Sequence, residues 1–262
     1  GMRLVEGINA ESLQGWMTDT GLMTGDTFEL VSLSGGTQNI LVRVTTREKC
    51  FVLRRPPLSL RGNSNVTMKR EARMLAALAG SGVPHPGFIS VCTDEAVLGC
   101  VFYLMEPVDG FNPVASLPDL HRESADIRHE MGVSLVHALA RLGELDPDEL
   151  GVSDMGRPEK YLSRQVERWK RQLKSYEEFD AWDGRKDLPG IDRIGDWLDR
   201  NCPPETAPGI LHGDAHLANT MFSYDCPDLK ALVDCELTTI GDPLVDLGWL
   251  LATWPESAEN FG

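Results

Sequence analysis

Residues 211–219 read Leu-His-Gly-Asp-Ala-His-Leu-Ala-Asn, a dense polar cluster set between two short apolar segments. A second apolar run, residues 229–233, ends at Asp234, fifteen positions after Asn219. A buried carboxylate at the end of a strand is costly unless it binds a cation or hydrogen-bond donors. Asp214, Asn219 and Asp234 together therefore predict a polar site at the ends of short strands.

The residue types in this pattern suit phosphoryl transfer. That reaction uses a carboxylate to orient a hydroxyl nucleophile and accept its proton, and an Asn and an Asp to hold magnesium. The spacing from Asp214 to Asn219 equals that of the catalytic loop H-R-D-x-x-x-x-N, with Gly213 in place of Arg. Asp234 falls where the metal-binding Asp of D-F-G would stand, with Cys235 and Glu236 in place of Phe-Gly.

Outward from this cluster the chain divides into a strand-rich part and a helical part. β-branched and apolar runs separated by turn residues predict a meander of antiparallel strands, and apolar residues at helical spacing predict helices. The turn-rich stretch 106–113 is the predicted boundary between the two parts. Strands are predicted at residues 28–34, 39–46, 51–54, 88–92, 99–105, 209–211, 220–222 and 229–233, and helices at residues 66–78, 127–145, 161–179, 191–201 and 243–253.

The string HGDAHLAN at 212–219, followed by ALVDCELTTIGDPLVDLGW at 231–249, resembles the aminoglycoside phosphotransferase or choline-kinase-like family. The resemblance is closest to bacterial phosphotransferases similar to the kinase-like domain of some acyl-CoA dehydrogenases. It implies an α+β, protein-kinase-like two-lobe fold. Residues 1–105 would form a small antiparallel nucleotide-binding lobe, and residues 106–262 a larger, mainly helical catalytic and acceptor-binding lobe.

The resemblance also implies roles for individual residues. Asp214 would be the catalytic base, His212 would shape its loop, and Asn219 and Asp234 would hold Mg²⁺. The nucleotide, ATP or GTP, would be bound in the first lobe through Gly35, Gly36, Thr37, Arg54 and Glu71, and by the backbone from Glu106 to Val108 that follows it. Glu71 would pair with the cation of the third strand.

The sequence departs from the family in two places. Arg54 stands where the family has a lysine, and a planar guanidinium does not replace a compact ammonium at a tight site without effect. We interpret this as modified nucleotide binding rather than inactivity. The family also continues with further helices that complete the acceptor pocket, whereas this sequence stops at Gly262: either the protein lacks these final helices or the 262 residues omit its tail.

Composition narrows the possible partners. The 25 Lys and Arg face 40 Asp and Glu, a formal net charge of −15, which disfavours binding to nucleic acid or to an anionic membrane surface. No run approaches a membrane span, and the six scattered cysteines spell no paired motif, which favours a cytoplasmic protein with reduced thiols.

Two other functions remain open. A metal-dependent hydrolase could use His212, Asp214, His216 and Asp234 as ligands. A kinase-like fold that binds nucleotide without transferring phosphate, a pseudokinase, would fit Arg54 and the absent tail.

Several neighbouring residues have a plain structural interpretation. His216 is expected to be structural, and the Trp and Met residues to lie in the core. Asp242 and Asp246 are expected to cap the last helix, with Asp242 also bracing the catalytic loop. The leading hypothesis is ATP-dependent phosphorylation of a small-molecule hydroxyl, with the acceptor and the oligomeric state left open.

Overall fold

The computed structural model describes residues 5–33, 39–178 and 188–255. Its first part is built on a five-stranded sheet in the order β1-β2-β3-β5-β4, in which every neighbouring pair is antiparallel. The sheet confirms the predicted strand-rich lobe. The strands are β1 Phe28–Ser32, β2 Ile40–Thr46, β3 Cys50–Arg55, β4 Phe88–Cys92 and β5 Phe102–Met105.

Helices cover both faces of this sheet. Helix α1, Ala10–Asp19, buries Leu13 and Met17 in one core with the sheet, while α2, Ser64–Ala77, buries Met68 and Ala72 against its other face. A single-turn helix, α3 Glu95–Leu98, precedes β5. Alternation along β3 sends neighbouring side chains to opposite faces. Arg54 accordingly points toward α2, and Arg55 points toward the backbone of Gly7 and Leu98.

The second part is mainly helical, as predicted, and carries two small antiparallel pairs of strands, β6 with β9 and β7 with β8. Its core joins α2 to the long helix α5, since Met74 and Leu78 share one cluster with Leu135 and Leu139. None of the helices in the described residues has the length and apolar character needed to cross a membrane. The elements are α4 Asp119–Glu123, α5 Ala125–Glu144, α6 Gln165–Ser175, α7 Ile191–Arg200, β6 Gly209–Leu211, β7 Thr220–Phe222, β8 Leu229–Leu232, β9 Thr239–Gly241 and α8 Leu244–Ala252.

Some elements differ from the sequence prediction. Helices α1, α3 and α4 and strand β9 were not predicted, and the stretch predicted as one helix at residues 161–179 contains α6 flanked by short 3-10 turns. The start of β5 at Phe102, instead of residue 99, follows from Gly99, which ends α3 in the left-handed region at φ 75°. The boundary between lobes at residue 106 stays a prediction.

Candidate active site

The polar cluster forms a loop between β6 and β7, with Asp214 half-buried at its centre. Asn219 Nδ2 donates to Asp214 Oδ2 and to the Asp214 carbonyl, both at 3.0 Å. Trp249 Nε1 on α8 donates to the other carboxylate oxygen, Oδ1, also at 3.0 Å. Both oxygens of Asp214 therefore accept hydrogen bonds, while the Asn219 amide oxygen has no partner within the part of the chain that the structure describes.

Gly213 is required by the backbone of this loop. Its φ of +86° lies in the left-handed region, and a Cβ there would come within 2.3 Å of the Leu237 carbonyl oxygen. Only glycine allows this approach without displacement of one of the two segments. The glycine that replaces the arginine of the kinase loop thus lets residue 213 pack directly against the chain that follows Asp234.

The loop is anchored to α8 by Asp246, which is buried. Its Oδ2 accepts from the His212 N–H at 2.6 Å and its Oδ1 from the Gly213 N–H at 3.0 Å. Burial raises the pKa of Asp246, and these two backbone N–H groups oppose that rise. Asp242 caps α8 as expected, because its Oδ1 accepts from the Leu244 N–H at the start of that helix; the expectation that it also braces the catalytic loop stays a prediction.

His212 is buried and ties the loop to the strand before Asp234. Its Nδ1 accepts from the Asp214 N–H at 3.3 Å, so the proton lies on Nε2, which donates to the Val233 carbonyl at 2.8 Å. His216 Nδ1 accepts from the Ala218 N–H, and its Nε2 lies 3.3 Å from Asp214 Oδ1. The ring nitrogens of His212 are thus both occupied by the loop that it shapes.

Arg54 joins the sheet to the helical lobe. Its Nε donates to Glu71 Oε2 at 2.8 Å and its terminal nitrogen to Asp234 Oδ1 at 2.6 Å, while the Tyr103 hydroxyl donates to Glu71 Oε2 at 3.0 Å. Burial acts to lower the pKa of Arg54, but the negative charges of Glu71 and Asp234 outweigh it and raise that pKa. Arg54 is therefore a fixed cation between two carboxylates.

Three carboxylates converge around Arg54, and their donor chemistry fits a hard cation. Oxygens of Glu71, Asp234 and Glu236 lie within 4.8 Å of one another. Asp234 adopts φ 63° and ψ 66°, a left-handed conformation that costs free energy in a non-glycine residue. Only its Oδ1 has a hydrogen-bond partner within the described part of the chain, so Oδ2 is free to act as an oxygen ligand of the kind that Mg²⁺ prefers.

The four ligands expected of a metal-dependent hydrolase do not meet. Across residues 5–33, 39–178 and 188–255, Glu71, Asp234 and Glu236 form the single metal-type cluster, and both histidines stay outside it. Cys235 stands between Asp234 and Glu236 in the sequence, and desolvation, followed by the charges of Glu71 and Asp234, raises the pKa of its thiol to about 12.

The residues expected to bind nucleotide differ in whether the structure describes them and in which of their backbone groups have partners. Gly35, Gly36 and Thr37 lie outside the described residues. The Glu106 N–H donates to the Gly87 carbonyl at 2.7 Å and is already used. The Glu106 carbonyl and the Val108 N–H, by contrast, have no hydrogen-bond partner among the described residues.

Sequence reasoning missed two residues of the site. Trp249 was expected in the core, yet 46% of its surface is exposed while its N–H contacts Asp214. Trp169 and Trp197 are also exposed, so the core expectation is wrong for several tryptophans. Glu236 faces the sheet, where Asn39 Nδ2 donates to it at 3.2 Å, and burial followed by Asp234 raises its pKa. The DCE triplet was the available signal for Glu236.

Comparisons with known proteins show the family and the fold. Residues 29–261 match the model of the phosphotransferase enzyme family (APH). A Ralstonia eutropha protein named after the aminoglycoside phosphotransferases has a crystal structure with TM-score 0.76 and 30% identity, covering 94% of this chain and 70% of that one. The structure of APH(3'')-Id from Streptomyces rimosus, with ADP and streptomycin, gives TM-score 0.60 at 17% identity over 96% and 92% of the two chains.

The relatives in sequence are longer proteins. Acyl-CoA dehydrogenase family member 11 of Gallus gallus is 31% identical over 234 residues, which are 87% of this chain and 29% of that protein. The chain thus spans less than a third of the length of the acyl-CoA dehydrogenase relatives that it matches. Fold and family are as the sequence predicted: this is a kinase-like, two-lobe chain that belongs to the phosphotransferase enzyme family.

Proposed function

We propose that this protein transfers the γ-phosphoryl group of ATP or GTP to a hydroxyl of a small molecule. The observation that carries the proposal is the position of Asp214. Its carboxylate is oriented by hydrogen bonds from Asn219 of the catalytic loop and from Trp249 of α8. Asp234, further along the chain, is bonded to the cation Arg54 of the sheet. A solved relative of the same fold holds ADP and streptomycin, which supports nucleotide and small-molecule binding.

In the proposed reaction the oxygen of the acceptor hydroxyl attacks the γ-phosphorus while Asp214 accepts the proton of that hydroxyl. The bond from that phosphorus to the bridging oxygen breaks, and the nucleoside diphosphate leaves with the electron pair. Arg54 would contact the phosphates, its charge fixed by Glu71. Asn219 Oδ1 and Asp234 Oδ2 would hold Mg²⁺, which when bound neutralises charge on the β- and γ-phosphate oxygens.

The nucleotide side of the proposal uses the first lobe, which we place at residues 1–105, and the segment that follows. The Glu106 carbonyl and the Val108 N–H would receive the base, since both lack partners in the described residues. Gly35, Gly36 and Thr37 would cover the phosphates with backbone N–H groups. Residues 106–262 would supply the catalytic loop and the acceptor surface.

The variant Asp214→Asn tests the proposal. It keeps an oxygen acceptor for Trp249 but cannot take a proton, so we expect normal folding, retained nucleotide binding and loss of turnover by at least about a hundredfold. Turnover is measured as ADP release in a metabolite screen that also identifies the acceptor. The control is Asp225→Asn, which removes the same charge from an exposed position of the same lobe.

Two results separate the alternatives. Turnover by Asp214→Asn at the wild-type rate would contradict the assignment of the base. If Mg·ATP and Mg·GTP raise the melting temperature of the wild type yet no acceptor gives ADP, the chain is a nucleotide-binding pseudokinase. A melting shift with Zn²⁺ alone, and none with Mg·ATP or Mg·GTP, would contradict the proposed nucleotide binding.

A further inference from the structure

Helix α8 forms hydrogen bonds with three successive residues of the catalytic loop. Asp246 binds the backbone N–H groups of His212 and Gly213, and Trp249, three positions further along the helix, binds the carboxylate of Asp214. Side chains three apart on a helix share one face. One face of one rigid element thus fixes both the backbone and the side chain of the proposed base.

Trp249 contributes the part of this arrangement that the backbone contacts cannot. The terminal torsion of an aspartate is broad, so an anchored backbone alone leaves the carboxylate plane free to turn. Asn219 holds Oδ2, and Trp249 donates the hydrogen bond to Oδ1, with His216 Nε2 at 3.3 Å from the same oxygen, so the two hydrogen-bond donors fix the plane. The indole of Trp249 is thus half-exposed at the surface while its N–H donates to Asp214 in the site.

From this geometry we infer that Trp249 is a positioning residue for phosphoryl transfer: its indole N–H sets the orientation of the Asp214 carboxylate toward the acceptor hydroxyl. The inference rests on the proposed function. Loss of the N–H leaves Asp214 able to take a proton but less often aligned to do so, which lowers the rate of the chemical step. Nucleotide binding is made by other residues and is unaffected.

The variant Trp249→Phe removes the donor and keeps an aromatic ring. With Mg·ATP and water as the acceptor, we expect kcat for ADP release to fall about tenfold, the effect of one hydrogen bond to a charged group. The KM for ATP and the melting temperature should stay at their wild-type values. Trp197→Phe, on the exposed surface of α7, is the matched control and should leave all three unchanged.

A spectroscopic measurement tests the contact without turnover. With ¹⁵N-labelled tryptophan, the resonance missing from Trp249→Phe identifies the Trp249 indole, and Asp214→Ala should move that resonance while leaving the Trp197 resonance in place. A Trp249 resonance unmoved by Asp214→Ala, or a Trp249→Phe kcat within twofold of the wild type, overturns the inference. A wild type without turnover counts against the proposed function, and the resonance in Asp214→Ala still decides the contact.

Discussion

At the scale of the residue, the site depends on a glycine that a kinase motif would not place there. Gly213, between His212 and Asp214, adopts a positive φ that residues with a side chain rarely adopt. The Leu237 carbonyl occupies the space that a Cβ of residue 213 would need. An arginine at this position could not make the same approach. With Gly in place of Arg, residue 213 packs against the backbone of Leu237, in the segment after Asp234.

Gly213→Ala should destabilise the fold and abolish turnover, because the new Cβ must displace either the loop or Leu237. Gly80→Ala is the control, since Gly80 has φ +75° with open space around it. The control should lose about 1–2 kcal/mol of unfolding free energy from backbone strain alone. Urea denaturation and ADP release measure both variants. Equal losses in the two variants would show that the contact with Leu237 has no role.

The residues recognised from sequence are those whose partners are local. Asn219 contacts Asp214 from five positions away, so both residues belong to one short motif that is recognised from its spacing. Trp249 lies 35 positions from Asp214, and its contact exists only because α8 packs beside the loop. A tryptophan in an apolar helix reads as core, so no local pattern separates Trp249 from a buried residue.

At the scale of the element, the sequence predicts the long periodic segments and misses the short ones. Helix α5 was expected at residues 127–145 and is observed at Ala125–Glu144, because a stripe of buried residues repeats along it. Strand β9 has three residues and is defined by pairing with β6, some thirty positions earlier. Helix α1 had a usable signal, since Asn9 caps it and Leu13 and Met17 recur at helical spacing.

Asp246→Asn tests the role of α8 as the support of the catalytic loop. An amide can accept from one backbone N–H and leaves the other, buried donor without a partner. We expect a loss of about 1–3 kcal/mol in the free energy of unfolding and a lower kcat. Asp242→Asn is the matched control, because the amide oxygen can still accept from the Leu244 N–H. A larger effect at Asp242 than at Asp246 would reverse the assignment of the loop anchor.

At the scale of the whole molecule, a strongly acidic chain is proposed to bind an anionic nucleotide. The formal charge is −15, and the candidate site itself gathers Glu71, Asp234 and Glu236 around one Arg54. Distant charges repel the incoming nucleotide, while Arg54 attracts it at short range. The overall charge could be predicted from composition, but this balance could not, because it depends on which charges lie near Arg54.

Added salt distinguishes the repulsion of the nucleotide by distant charges from its attraction by Arg54. The Debye length is about 10 Å at 0.1 M ionic strength, so added salt screens the distant surface charges more than the buried pair at Arg54. We therefore expect the association rate of Mg·ATP to rise as NaCl increases from about 20 to 200 mM, because the screened field is repulsive. Stopped-flow measurements with a fluorescent ATP analogue test this, and adenosine, which is uncharged, should associate at a rate independent of salt. An association rate for Mg·ATP that falls with salt would mean that the local cations, and not the net charge, govern the approach of the nucleotide.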